Sequence, residues 1–466
     1  MPRPDEGPHS SAHSEPAQGR SLGDVLAWLD RHVNLEAIER GTAGRHGRPD
    51  LSRVRALLAA MGDPQAQLPI VHVTGTNGKG STTRIAAALL GAQGLRVGTY
   101  TSPHLERLNE RIAVGGRAIP DGALAEVLAA LEDLEGFLLS RGGSEGLSAP
   151  PTWFELVTAA GYRYLADVAA DAAIVEVGLG GRYDATNAGD GVVAVVTNVE
   201  LDHVEILGPT RADIAAEKAG IIKAGATAVI GEEDPEIVEI FAAEARRVGA
   251  AALWRRGPDF ACESNRLAHG GRLLELRTPG ASYEDLFLPL HGAHQGANAS
   301  AALAAVEAFF GSPLHESVVA EAFESVHVPG RLEVVGRRPV VLLDGAHNPA
   351  GADALGAALA EDFAGAARLI VVVGCLRGRD PKALLSALDD GRIGLVVACS
   401  PASPRALPAT AVEQAARALA LESVVVDEVA EAVAYARETA GEDDLVLVTG
   451  SLYVVGAARA ALAPAG

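Results

Sequence analysis

Short, largely apolar runs recur along this chain, separated by longer stretches of helical period. IVHVT (70–74), RVGTYT (96–101), AAIVEV (172–177) and VVAVVTN (192–198) read as strands, and helical patterns fill 121–139 and 152–168 between them. A strand with one wet face alternates apolar and polar residues; a strand that does not alternate must be covered on both faces. Such strands with intervening helices predict an α/β fold built on a parallel sheet. A second series begins after HVPGRLEVV (327–335), with VVLLD (340–344), LIVVVG (369–374), GLVVA (394–398), ESVVVD (422–427) and LVLVTG (445–450). At 466 residues the chain exceeds one ordinary core. The boundary is placed at the Pro-Gly pair near Val328, giving domains of 21–328 and 329–466. The segment 232–290 is less regular and reads as an antiparallel addition. Residues 1–20 are rich in Pro, Ser, His and Glu and are expected to be disordered.

Charge narrows the partners. A formal net charge of −21 offers no basic excess to displace counterions, so nucleic acid and anionic membranes are excluded as partners. Any anion must instead find a locally positive site. The cysteines, Cys262, Cys375 and Cys399, are odd in number and lack C-x-x-C spacing, which argues against disulfides and structural zinc. The first twenty residues lack the apolar core of a secretory signal, and no run approaches the ~18 apolar residues of a membrane span. A cytoplasmic monomer acting on small molecules is expected.

In a parallel α/β sheet, ligands bind beyond the C-terminal ends of the strands, so polar residues there should form a coherent set. After the first strand comes VHVTGTNGKGSTTRIAAALL (71–90). It departs from the common phosphate loop, because Val73 stands five residues before Gly78 and Gly80 separates Lys79 from Ser81. The chemistry is nonetheless that of a phosphate cradle. Glycines let backbone N–H groups approach an anion, and a helix beginning near Ser81 adds its positive end. Lys79 supplies a charge, and Ser81 or Thr82 a hydroxyl for Mg²⁺. Ser102-Pro103-His104-Leu105 follows the next strand and by itself is only a turn. Glu176 closes its strand beside Gly178-Leu179-Gly180-Gly181-Arg182-Tyr183-Asp184, as a capping acceptor or a metal ligand. Glu200-Leu201-Asp202-His203 ends another strand, where His203 on its own is best read as structural. Thr210 and Asp213 form a capping box opening a helix that carries Lys218, an ordinary partner for the helix dipole. In the second half, Arg331 stands at the domain entrance and Asp344-Gly345-Ala346-His347-Asn348-Pro349 follows a strand, with Asn348 as N-cap and Pro349 first in the helix. Asn298 either caps the apolar helix that follows it or holds a base or ribose.

Taken together, VTGTNGKGSTT, TSPHLERLNERI, PTWFE, EVGLGGRYDATN, LDHVEILGPTRADIAAEKAGIIK, HQGANASAAL, PGRLE, DGAHNP and VTGSLY resemble the folylpolyglutamate synthase and dihydrofolate synthase family of the Mur ligase superfamily. The likeness runs from about Leu51 to Leu452. It implies a P-loop-containing Mur-ligase-type ATPase domain followed by a smaller Rossmann-like glutamate-ligase domain. It also implies an ATP-dependent amide ligase. Thr76, Asn77, Gly78, Lys79, Gly80, Ser81 and Thr82 would hold the triphosphate, and Asn298, Arg331 and Asp344 would complete the ATP site. Ser81, Ser102, Glu176 and His203 would serve two Mg²⁺ ions, together with a carbamate on Lys218; room remains for a monovalent cation. Lys79, His203, Lys218 and His347 are the implied catalytic groups. Thr152, Trp153, Phe154 and Glu155, with Arg182, Tyr183 and Asp184, match segments lining the pterin pocket. Trp153 replaces the usual Tyr, Tyr183 the usual Leu or Phe, and the segment before Leu51 departs from the common pattern, so substrate range is the open point.

The chemistry so implied begins by phosphorylating a pterin-linked carboxylate from ATP. The amine of L-glutamate then displaces phosphate from the acyl phosphate. The substrates would be ATP, L-glutamate and dihydropteroate or a folate. Two alternatives stand beside it: a Mur-type ligase acting on another carboxylate, and a nucleotide-dependent switch.

Overall fold

A computed structural model of the chain describes residues 20–34, 50–142 and 146–463. The expected disordered tail, 1–20, lies outside these apart from Arg20. Three sheets organise the rest. The first contains β1 (Ile70–Thr74), β2 (Val97–Tyr100), β3 (Ile112–Val114), β4 (Arg117–Ala118), β5 (Ala172–Glu176), β6 (Gly191–Val196), β7 (Thr227–Ile230) and β8 (Ala252–Arg255), in the order β4-β3-β2-β5-β1-β6-β7-β8. The six strands from β2 to β8 in that order run parallel. β3 and β4 are an antiparallel edge that the apolar pattern does not announce, because two or three residues are too few to set up a recognisable run.

The less regular segment holds more than an antiparallel addition. It opens with the helix Pro235–Val248 and parallel β8, and only then forms the antiparallel sheet β9 (Ala261–Ala268), β10 (Gly271–Arg277) and β11 (Ser282–Leu288). The third sheet contains β12 (Glu333–Arg337), β13 (Val340–Leu343), β14 (Leu369–Val373), β15 (Ile393–Ala398), β16 (Ser423–Val425) and β17 (Leu445–Thr449), ordered β12-β13-β17-β14-β15-β16. All are parallel except β12, a half-exposed edge strand.

Each large sheet is covered on both faces, as the unbroken apolar runs require. On one face of the first sheet, Ile85 and Leu89 from the helix Lys79–Ala92 pack with Leu303 and Val306 from the helix His294–Phe310. That second helix is apolar nearly all round and accordingly buried. On the other face, the helices Leu22–Leu29, Ser52–Ala60, Asp121–Arg141 and Trp153–Asp167 supply Leu29, Leu57, Leu128 and Leu156. Each such fully buried side chain contributes roughly 1.5–3 kcal/mol. The chain passes from one core to the other between Val328, in the first, and Leu332, in the third sheet's core. Among the described residues no helix is long and apolar enough to cross a membrane.

β1 is central, so the loop leaving it opens between β5 and β6. That places the sequence motif at the middle of the ligand edge.

Candidate active site

Two glycines of the loop are imposed by their neighbours. Gly75 has φ 152°, and a Cβ on it would stand 1.7 Å from Thr197 Oγ1; Gly78 has φ 82°, and a Cβ would stand 2.2 Å from Asn298 Oδ1. No side chain fits either place. Gly80 differs. Its backbone is unstrained, and the place of a Cβ faces only the two carboxylate oxygens of Glu176, each 3.8 Å away. The loop is fixed from the β6 side: Asn77 N–H donates to Asn198 Oδ1 (2.9 Å), Thr197 Oγ1 donates to Asn77 O (2.6 Å), and Thr76 N–H donates to Asn198 O (3.0 Å).

Charge is concentrated here with little pairing. Lys79 Nζ, at the start of its helix, donates to Gly75 O (3.0 Å) and Thr76 O (3.2 Å). Lys218 Nζ, from the end of the helix Arg211–Lys218, donates to the same Gly75 O at 2.9 Å. Burial lowers the pKa of both lysines, and for Lys218 burial and the neighbouring Lys79 bring it to about 7. Burial raises the Glu176 carboxyl despite the opposing pull of Lys79. Glu176 accepts a hydrogen bond from Ser102 N–H (3.2 Å). Ser81, Ser102, Lys218 and His203 line the cleft with the loop. His203 adopts a left-handed backbone (φ 51°), and its Nε2 lies 3.8 Å from Asp202 Oδ1. Thr82 does not line the cleft; it is fully buried, with its hydroxyl unpartnered.

The second sheet-bearing half closes the other wall. Asp344 Oδ2 accepts Leu332 N–H (3.0 Å) and Oδ1 accepts Ala346 N–H (2.8 Å), so its turn is rigid. Arg331 lines the cleft beside it. His347 Nδ1 lies 2.7 Å from Gly345 O and must be the donor there; burial and the charge of Arg379 hold this ring down at about 4, hence neutral. Asn298 is not a cap. It sits one turn inside its helix, capped instead by Ala293, and its Nδ2 donates to Gln295 Oε1 (2.9 Å). The cleft encloses about 650 Å³, within the usual range of small-molecule sites.

The residues matched to a pterin pocket are placed differently. Thr152 and Glu155 form a capping box, and Glu155 also accepts from Arg53 Nε (3.0 Å). Trp153 is buried beneath the Arg111 guanidinium, 4.8 Å from its ring centroid. Phe154 packs edge-on against Tyr100 and fills the space beside Gly178. Arg182 turns to Glu244 (2.9 Å) and Ala216 O (3.2 Å). Asp184 is buried and accepts from Leu179 N–H (2.9 Å) and Thr186 N–H (3.0 Å), fixing the glycine-rich turn. Tyr183 alone of this group is half exposed. None of the seven lines the cleft.

A nucleotide and a divalent ion fit the donors present. Among the described residues, no group of three His, Cys, Asp or Glu could hold a metal unaided. That excludes a closed zinc-type site but suits Mg²⁺, which keeps waters and takes phosphate oxygens beside one or two protein ligands. Glu176, which accepts from Ser102 N–H, and Lys79, held only on two backbone carbonyls, are groups of the types such a site needs: an anionic oxygen for a metal and a cation for phosphate.

The sequence offers Asp202 only as part of a strand-end run, Asn348 only as a helix cap and Arg379 not at all, yet the three meet here. Arg379 Nη1 donates to Asp202 Oδ1 (2.8 Å), and Asn348 Nδ2 donates to Asp202 Oδ2 (2.9 Å). Arg379 had a signal in LRGRDP, five residues beyond the end of the LIVVVG run.

Known proteins resemble the chain along nearly its whole length. Residues 146–306 match the Mur ligase middle domain, and residues 330–452 match the Mur ligase glutamate ligase domain. The dihydrofolate synthase/folylpolyglutamate synthase of Mycobacterium tuberculosis is 37% identical over 97% of this chain and 98% of its own. The solved structure of M. tuberculosis folylpolyglutamate synthase complexed with ADP and AMPPCP superposes with a TM-score of 0.86, at 36% identity over 95% of this chain and 98% of that one. A bifunctional folylpolyglutamate synthase/dihydrofolate synthase from Yersinia pestis, complexed with AMPPNP and a Mn ion, gives 0.79, at 32% identity over 96% and 100% of the two chains.

Proposed function

The chain belongs to the folylpolyglutamate synthase/dihydrofolate synthase family, and from that premise we propose that it joins the amine of L-glutamate to the carboxylate of dihydropteroate, of a folate, or of both. It is an ATP-dependent ligase of the Mur type. The observation that carries the reading is the open space at Gly80, bordered by Glu176, within a cleft that Lys79, Lys218, Arg331, Asp344 and His347 also line.

Thr76 to Ser81 bind the triphosphate through loop N–H groups and Lys79, which exchanges its two backbone carbonyls for phosphate oxygens. Asn298, Arg331 and Asp344 hold the rest of the nucleotide. Glu176 with the Ser81 and Ser102 hydroxyls, and His203 with a carbamate on Lys218, would hold Mg²⁺, which when bound neutralises phosphate charge. A Lys218 pKa near 7 supports the carbamate. The free amine can attack carbon dioxide, forming an N–C bond and releasing one proton.

A carboxylate is a poor electrophile, so activation comes first. Its oxygen attacks the γ-phosphorus, the β–γ bridging bond breaks, and ADP leaves with the electron pair. The glutamate amine then attacks the acyl carbon, and phosphate departs. Lys79 and the loop N–H groups stabilise charge in the first step. In the second, the His347 Nδ1–H is fixed on Gly345 O, leaving Nε2 as an acceptor for the amine's hydrogens. Burial between two domains keeps water from the acyl phosphate.

Phosphate release from ATP, with dihydropteroate, tetrahydrofolate or neither, each with and without glutamate, tests this. Release requiring both a pterin and glutamate is expected. Release with glutamate but no pterin would point to another ligase, and release with no acceptor to a switch.

A further inference from the structure

One helix of the second half, Pro349–Asp362, is gripped at both ends by the first. It is roughly 21 Å long at 1.5 Å per residue, so the two grips are far apart. At its C-terminal end, Arg272 of β10 reaches across. Its side chain is fully buried and forks onto Glu361 (2.9 and 2.7 Å), and it also contacts Asp362. Asp362 Oδ2 accepts Gly292 N–H (2.9 Å) and lies 3.2 Å from His291 Nδ1. Removing one member of such a buried pair leaves an uncompensated charge. This end is a fixed pivot.

The other end is made differently. Asn348, the N-cap, donates to Asp202 Oδ2 (2.9 Å) and to Asn77 Oδ1 (3.1 Å), while Arg379 Nη1 holds Asp202 Oδ1 (2.8 Å). The Arg379 and Asp202 side chains are 13% and 8% exposed. These bonds join side chains only, and they sit at the cleft where substrates must enter. Asn77 belongs to the phosphate loop, and its backbone N–H and C=O are already engaged by Asn198 and Thr197. Its side chain is therefore free to report on the opposite domain.

We propose that Asp202, Arg379, Asn348 and Asn77 form a clasp that couples closure of the second domain to the phosphate loop. Asp202 and Arg379 are then positioning residues for the acyl-phosphate stage and have no part in ATP recognition. The clasp pulls the mouth shut about the Arg272 pivot, so the loop reaches its working geometry only when the cleft is dry. The proposal rests on the ligase reading given above.

The test uses Asp202→Asn, Arg379→Gln, Arg379→Lys and the double variant Asp202→Asn/Arg379→Gln in the full chain. As a control, Arg459→Gln removes a partly exposed interdomain pair with Glu106. The first two should lose about tenfold in kcat for ligation, corresponding to roughly 1.4 kcal/mol. Their KM for ATP should stay within about twofold, with more phosphate released than amide formed. Arg379→Lys should recover part of the coupling, the double variant should be no worse than either single one, and Arg459→Gln should stay coupled. X-ray scattering with a non-hydrolysable ATP analogue reads closure independently of the acceptor's identity. Compaction in the wild type that is lost in Asp202→Asn and Arg379→Gln supports the clasp even if pterins prove not to be the substrate. Compaction equal in wild type and variants, compaction absent from the wild type, additive losses, or intact coupling in both single variants would overturn it.

Discussion

Around the phosphate loop, charged groups are buried but poorly paired; around the helix Trp153–Asp167 and the turn 178–187, they are buried and engaged with the protein itself. Lys79 and Lys218 share the Gly75 carbonyl, and Glu176 accepts from Ser102 N–H beside the open space at Gly80. Glu155, by contrast, accepts from Thr152 N–H and Arg53, and Asp184 from two backbone N–H groups and the Thr186 hydroxyl. Both regions carry family-like motifs. Burying charge without full pairing costs stability, and a chain keeps such an arrangement where a ligand completes it. The second region's buried charges already have partners within the protein.

That contrast can be broken by substitution. Lys218→Ala should reduce ligation by a hundredfold or more with no loss of melting temperature, and short carboxylates should restore part of it; near-normal turnover would refute the carbamate. With carbon dioxide removed and then returned, reactivation of the wild type should rise through a midpoint near pH 7, because above it the Lys218 amine is unprotonated and below it the proton blocks attack. An activation independent of pH between 6 and 8 would contradict this. Glu176→Gln should raise the divalent-ion concentration needed for half-maximal activity by about 10–100-fold without unfolding the protein, as a metal titration would read. Glu155→Gln should do the reverse, lowering stability by about 1–2 kcal/mol in chemical denaturation while kcat changes less than about twofold. Smallest of all, Gly80→Ala should leave the melting temperature unchanged, since a Cβ there meets no protein atom closer than 3.8 Å. It should still raise the KM for ATP, because the methyl occupies the gap; an unchanged KM would remove phosphate from that gap.

Much of this was legible in the sequence where one kind of force dominates. IVHVT is β1 residue for residue, and LIVVVG contains β14, because a strand buried on both faces cannot hide its apolar run. The edge strands β4 and β12 were not legible, since exposed edge strands follow pairing more than burial, and β3 was missed because three residues are too few to show a run. The helix Pro235–Val248 had start signals in Asp234 and Pro235, obscured by the irregular strands that follow. The loop's glycines announced a phosphate site because a backbone constraint is local. Lys218 announced nothing by itself. Its depressed pKa comes from burial and from Lys79, and its bond to Gly75 spans 143 positions. Asp202 and Arg379 are 177 positions apart for the same reason: only the folded chain makes them neighbours.

The central claim is that the substrate carboxylate is phosphorylated before the amide forms. Ligation with a pterin substrate whose carboxylate carries oxygen-18 reads this directly. One labelled oxygen should pass from carboxylate to released phosphate for each amide made. Amide formation with unlabelled phosphate would contradict the acyl-phosphate route.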